Sequence, residues 1–237
     1  MLSSLTDKSP LLKGLLDFVL PPLCLGCGEF NDDHPGICKS CLKKIDTYEH
    51  PICLNCFEIL PIAQNCPVCR EKSVPLFAYG NYASPIQDII IQFKFRGITT
   101  PAALFAPLLY EQFQRQLQSL KAGMLIAVPL YPSREKRRGY NQAALFAEQL
   151  AQLLDLPVRK DILFRVEKRK PQAKLKFERR TENIRGAFTV VEEAENGERV
   201  ILVDDVVTSG ATAKEAKREL EEAGYRVCAV VAIAHGR

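Results

Sequence analysis

The chain has 237 residues, room for one medium domain or two small ones, and its 47% apolar and 25% charged content excludes a disordered or fibrous polypeptide. The net charge of +4 is unevenly spread: residues 134–180 hold 14 Lys/Arg against 6 Asp/Glu, a net of +8, and the other 190 residues hold 18 against 22, a net of −4. One basic segment in an otherwise slightly acidic chain points to an anionic partner.

Residues 11–25 are apolar, but Lys13 and Asp17 interrupt the run and Pro21-Pro22 ends it without a small-residue cleavage site. The stretch therefore reads as an amphipathic helix capping a small domain, not as an export signal or a membrane span. A chain without such a signal is expected in the reducing cytoplasm, where clustered cysteines bind metal more often than they form disulfides.

Eight of the nine cysteines then follow as four Cys-x-x-Cys pairs: Cys24/Cys27, Cys38/Cys41, Cys53/Cys56 and Cys66/Cys69. Two residues between thiolates let a tight turn aim both sulfurs at one ion, and two such knuckles complete a tetrahedral zinc site. The short intervals between the first and second pairs, and between the third and fourth, suit two successive ribbon-like sites; a cross-braced pairing is the alternative. Four sulfurs per site leave no place for water, so both zinc ions are expected to be structural. The predicted division is a zinc-binding domain over residues 1–72, N-terminal helix included, and a second domain over residues 73–237. Cys228 sits in an apolar run and reads as a buried small hydrophobe.

From Val74 onward, strands and helices alternate. The pattern predicts an extended hairpin edge over Val74–Tyr82, helices over Pro85–Phe95 and Ala102–Leu120, and a strand over Met124–Leu130. A helix capped by Asn141 and running to about Leu154 comes next. Strands over Phe188–Val191 and Arg199–Val203, a helix along Ala213–Ala223 ended by Gly224, and a last strand over Tyr225–Ala234 complete the series. Such alternation implies an α/β fold with a parallel sheet flanked by helices.

The run Val200–Thr212 carries the most chemistry. Asp204 and Asp205 fall beyond the carboxyl end of the predicted strand, where open α/β sheets bind ligands. Thr208, Ser209, Gly210, Ala211 and Thr212 then lead into a helix N-terminus. Glycine permits close approach, amides and hydroxyls donate, and the helix dipole favours a dianion. A monophosphate in the loop and vicinal hydroxyls on the two carboxylates together fit one sugar phosphate.

This run resembles the 5-phosphoribosyl-1-diphosphate (PRPP) signature of type I phosphoribosyltransferases. The Cys-x-x-Cys segment, Phe93-Lys94-Phe95-Arg96-Gly97, Arg137-Arg138-Gly139-Tyr140-Asn141-Gln142-Ala143, Gln172-Ala173-Lys174-Leu175, Arg179-Arg180 and Asn183–Phe188 are in turn similar to the ComF competence family. The resemblance implies a type I phosphoribosyltransferase-like sheet preceded by a small four-cysteine zinc-ribbon-like domain, and PRPP, or another sugar phosphate, bound with Mg2+. It also implies a cytoplasmic role in DNA uptake during natural transformation, acting on single-stranded DNA with a helicase partner.

Two basic blocks flank the expected pocket. Arg134, Lys136, Arg137 and Arg138 stand where the type I fold carries its diphosphate loop, with Arg137 and Arg138 also read as PRPP ligands. Lys168, Arg169 and Lys170 belong to the second block, Arg165–Arg180, where the fold carries a lid. Guanidinium groups match a diphosphate and a DNA backbone equally well, so both blocks are expected to contact DNA. Tyr140, Phe177 and Phe95 are the aromatic side chains near them on which bases could stack. A reading as an active enzyme stands beside the binding reading: a nitrogen nucleophile would displace diphosphate at the anomeric carbon, with Asp204 and Asp205 holding the ribose. Any hood reading an acceptor would have to come from the N-terminal half, where no acceptor-recognising residue is apparent.

Overall fold

The computed structural model describes residues 22–31, 36–60, 66–70, 73–166 and 186–236. Most of the predicted helix over 11–25, together with Lys168, Arg169, Lys170, Phe177 and the motif residues 172–180, lies outside the described residues. The strands are β1 (Ile52–Cys53), β2 (Pro75–Asn81), β3 (Met124–Ala127), β4 (Val158–Arg159), β5 (Leu163–Arg165), β6 (Phe188–Val190), β7 (Arg199–Val207) and β8 (Arg226–His235). The helices are α1 (Lys39–Lys43), α2 (Ile86–Phe95), α3 (Thr100–Ser119), α4 (Pro132–Arg138), α5 (Gln142–Leu154) and α6 (Ala211–Glu222).

Six strands form one sheet in the order β1-β2-β8-β7-β3-β4, with β5 and β6 paired separately. All pairings from β2 to β4 are parallel, and only β1 is antiparallel to its neighbour. The predicted α/β class with a mostly parallel sheet is thus present. The central strands are apolar on both faces because both faces are covered. Along β7, Ile201 and Val203 pack with α2, α3 and α5, whereas Val200 and Leu202 pack with α6 and the β5–β6 ribbon.

The chain leaves β3 through α5 to β4 on one side and leaves β7 through α6 to β8 on the other. The topological switch point therefore lies between β3 and β7, where open α/β sheets form their ligand crevice. There β3 stops at Ala127, opposite Val203, while β7 runs on beside β8 to Val207. Asp204 and Asp205 consequently sit inside β7 rather than beyond it, because β8 goes on pairing after β3 has turned away.

The segment read as a hairpin edge is an inner strand: β2 pairs in parallel with β8 and, on its other side, meets the two residues of β1 and an antiparallel bridge from Thr47 to Gly80. The cysteine-rich segment clasps this edge of the sheet. Cys24, Ile37 and Cys41 join the core on the α2–α3 face, and Ile52 and Leu54 join the core on the α6 face. Polar ties reinforce it, including Tyr48 Oη donating to Asn81 Oδ1 at 2.5 Å and Gln92 Nε2 donating to the Leu25 carbonyl at 2.5 Å. Among the described residues, no helix is long and apolar enough to cross a membrane.

Candidate functional site: a cationic cleft, a phosphate loop and two cysteine clusters

The loops after β3 and β7, with the helices that flank them, build the crevice. After β3, Tyr131 precedes α4, whose Pro132 occupies the first turn where no amide donor is needed. Gly139 ends α4 in the left-handed region at φ 82°, and the cations Lys136, Arg137 and Arg138 fill its last turn, where the helix dipole favours them. Asn141 caps α5 by accepting from Ala143 N at 3.0 Å, and its amide donates to the Val128 carbonyl at 3.0 Å, which pins the loop to the end of β3. The Phe93 carbonyl, near the end of α2, accepts from Tyr140 Oη at 2.6 Å and Gln142 Nε2 at 3.1 Å.

A cleft of about 170 Å³ opens between these elements, lined by Lys94, Arg134, Arg138, Arg165, Asp204 and Asp205 among others. A smaller cradle formed by residues 206–213 adjoins it, and Asp204, Val206 and Thr212 line both. The predicted carboxylates and the predicted loop residues Thr208, Ser209, Gly210, Ala211 and Thr212 are thus brought into one continuous site. Arg134 and Arg138 line the cleft, whereas Lys136 and Arg137 stand exposed on the same helix.

Lys94 stands out in the sequence only within the Phe93–Gly97 motif and Arg165 only as the start of the second basic block, neither as a lining of the pocket. Lys94 Nζ lies 3.0 Å from Asp205 Oδ1, the ion pair that the Phe-Lys-Phe-Arg-Gly motif delivers from the end of α2. The Arg165 guanidinium stacks over Tyr131 at 4.3 Å and Phe188 at 5.1 Å. Among the described residues, no partner lies within hydrogen-bond reach of buried Arg138 Nε or Arg165 Nε. Unmatched buried guanidinium donors are costly. Arg138 also lies over the exposed ring of Phe95 at 5.3 Å.

Burial, then the neighbouring Asp205 carboxylate, raises the Asp204 pKa from 3.8 to about 7, against the opposing pull of Lys94 and Arg165. Because the folded value lies above the unfolded one, this group favours folding fully below about pH 4, and that contribution is lost as the pH rises through 7. Asp204→Asn is therefore expected to melt a few degrees above the unaltered protein at pH 8, with the gap closing at pH 5; a gap that does not change with pH would count against it.

The cysteines form two successive clusters, Cys24/Cys27/Cys38/Cys41 and Cys53/Cys56/Cys66/Cys69, with the sulfurs of each within 4.8 Å of one another. The cross-braced alternative is thereby set aside. Zn–S bonds of about 2.3 Å in a tetrahedron require sulfurs about 3.8 Å apart, and Cys27–Cys38 and Cys53–Cys69 lie at 3.9 and 3.8 Å. Backbone amides point at the sulfurs: Gly26 N and Cys38 N to Cys24, and Asn55 N to Cys53, where Ser73 Oγ also donates at 2.8 Å. Burial opposes ionisation of Cys24 and Cys53, but these hydrogen bonds outweigh it and bring both to about 6. Burial, reinforced by the neighbouring sulfurs, pushes Cys56 up to about 12. Four thiolates so close together require a cation, and both donor sets fit structural zinc with no position left for substrate.

A double zinc ribbon domain family matches residues 15–70, and a phosphoribosyl transferase domain family matches residues 141–237. Competence protein F of Haemophilus influenzae is 33% identical over 211 residues, 85% of this chain and 91% of that protein. DNA utilization protein YhgH of Escherichia coli K12 is 32% identical over 203 residues, 82% of this chain and 85% of that protein. Competence protein ComFC of Streptococcus pneumoniae is 27% identical over 221 residues, 86% of this chain and 95% of that protein.

Proposed function

The chain belongs to the competence protein F family, and from that premise we propose that its cleft binds PRPP and that the protein handles single-stranded DNA in the cytoplasm during DNA uptake. One observation carries the ligand reading: the two carboxylates of β7 are continuous with a phosphate-type loop on one side and with Arg134, Arg138 and Arg165 on the other. The loop amides at the start of α6 would take the 5-phosphate. Asp204 and Asp205 would accept from the ribose hydroxyls, the second after release from Lys94. The guanidinium groups would face the diphosphate, on which Mg2+ would offset the remaining charge.

PRPP with Mg2+ is expected to raise the melting temperature, since a ligand present at a hundred times its Kd adds about 2.7 kcal/mol of stability. An unchanged melting curve at millimolar PRPP would contradict the reading. Diphosphate release in the presence of candidate acceptors separates transfer of the phosphoribosyl group from binding alone.

The DNA role is supported by relatives named for competence and DNA utilization and by α4, where Lys136 and Arg137 are exposed beside the Arg138–Phe95 stack. Such a surface offers cations to a backbone and one ring to a base. A DNA-uptake helicase as partner belongs to the same reading. Single-stranded DNA affinity is expected to fall steeply with salt, and Arg137→Glu with Arg138→Glu to weaken it at least tenfold at low salt. Binding indifferent to both changes would exclude a backbone contact through α4.

A further inference from the structure

The second cysteine cluster and the phosphate loop touch, although they arise from distant parts of the chain. In the Cys53–Cys56 knuckle, Phe57 N donates to the Cys53 carbonyl at 2.8 Å, and Phe57 itself adopts φ +64°, in the left-handed region. This turn holds the Phe57 ring against the loop. A Cβ built on Gly210, at φ +71°, would lie 3.0 Å from Phe57 Cζ and 3.5 Å from the Leu54 carbonyl oxygen, so glycine is what admits the knuckle here.

Both ends of the loop are tied to the knuckle. At its start, the Val207 carbonyl lies 2.8 Å from His235 Nδ1; a carbonyl only accepts, so this nitrogen carries the proton, and the same imidazole stacks on Phe57 at 4.5 Å and 27°. At its end, Lys214 in the first turn of α6 donates from its backbone to the Gly210 carbonyl at 2.8 Å and from Nζ to the Asn55 carbonyl at 3.2 Å. The Lys214 ammonium also lies 5.5 Å from the Phe57 ring centroid. The first cluster makes no such contact among the described residues; Cys24 and Cys41 pack on the opposite face of the sheet.

We propose that metal occupancy at Cys53/Cys56/Cys66/Cys69 and phosphate binding in the loop are energetically coupled, with Phe57 and Lys214 as the positioning residues that transmit the coupling. The inference rests on the phosphate reading of the loop given above. Zinc held by Cys53, Cys56, Cys66 and Cys69 would fix the knuckle, the knuckle fixes Phe57, and Phe57 with Lys214 holds the loop amides in their ligand-ready arrangement. Preordering raises affinity by removing the cost of fixing a loop at the moment of binding. Linkage then requires the reverse effect by the same factor: phosphate in the loop tightens zinc at the second cluster and leaves the first unchanged.

The test uses full-length, zinc-loaded protein, a competing zinc chelator at equilibrium, and ribose 5-phosphate as the probe. The zinc step that disappears in Cys69→Ser identifies the second cluster. Ribose 5-phosphate is expected to tighten that step about fivefold or more, within the usual range of coupling between sites, and to leave the other step unmoved. Phe57→Ala is expected to retain two zinc ions, lose the difference and bind ribose 5-phosphate several-fold more weakly. Lys214→Met, which keeps the aliphatic stem and removes the donor to Asn55, provides a second arm should Phe57→Ala fail to fold. Calorimetric binding of ribose 5-phosphate with both zinc steps unchanged would overturn the coupling and leave the pocket reading standing. Absence of ribose 5-phosphate binding would overturn both.

Discussion

Cys53→Ser is expected to leave one zinc per chain instead of two and to cost on the order of 4 kcal/mol, a fall in melting temperature of about 8–16 °C for a domain of this size. The size of the effect follows from position. Cys53 is fully buried in β1, accepts from Ser73 Oγ at 2.8 Å and from Asn55 N at 3.3 Å, and packs with buried Leu60 and Cys66. Next to it, Ile52 and Leu54 enter the core beneath α6, so loosening the cluster also loosens the sheet. Cys27→Ser removes a ligand too, but Cys27 is exposed, and its effect should be clearly smaller. Metal analysis with thermal melting of the two variants checks this order, and equal losses would contradict it.

The second large effect concerns the carboxylates. Asp204→Asn combined with Asp205→Asn is expected to abolish the thermal response to PRPP while the far-ultraviolet circular dichroism stays unchanged. A hydrogen bond to a charged group contributes about 1.5–3 kcal/mol against about 0.5–1.5 for a neutral one, so exchanging both carboxylates for neutral amides, whose oxygens accept more weakly, lowers affinity by about thirtyfold or more. The fold should survive because the pair lies against the crevice, with Val203 and Val207 supplying the neighbouring core positions. A Kd within about threefold of the unaltered protein would show that the ribose lies elsewhere.

The parts legible in the sequence were those whose chemistry is local. Cys-x-x-Cys spacing sets a knuckle within four residues, and the strand–acid–glycine run of β7 sets its own turn, so the clusters and the loop could be placed without a fold. The length of β7 was not legible, because Val206 and Val207 are strand only by virtue of Ala234 and His235 alongside. β1 and β4 are two-residue strands that exist through their neighbours alone. The α4 helix resembled a charged loop because no residue in it is buried, leaving no apolar period to read. Lys94 escaped notice as a site residue for a different reason: its partner Asp205 is distant in sequence and is brought near only by packing of α2 beside the crevice. Arg165 likewise becomes a cleft residue only once Tyr131 and Phe188 supply rings on which its guanidinium rests.

The coupling between the second cluster and the loop follows the same pattern. No local signal joins Phe57 to Gly210; a ring held by a knuckle and a glycine with positive φ meet because the knuckle after β1 turns the Phe57 ring onto His235, the last residue of β8, beside the loop.

Calorimetric titration of the zinc-loaded protein with PRPP and Mg2+, followed by displacement with ribose 5-phosphate and with inorganic diphosphate, measures the central claim most directly. One saturable site per chain, displaced by each half-ligand and bound more weakly by either than by PRPP, is the expected result. No saturable heat with PRPP at millimolar concentration, or binding that neither half-ligand displaces, would contradict a single site spanning the loop, the carboxylates and the arginine cluster.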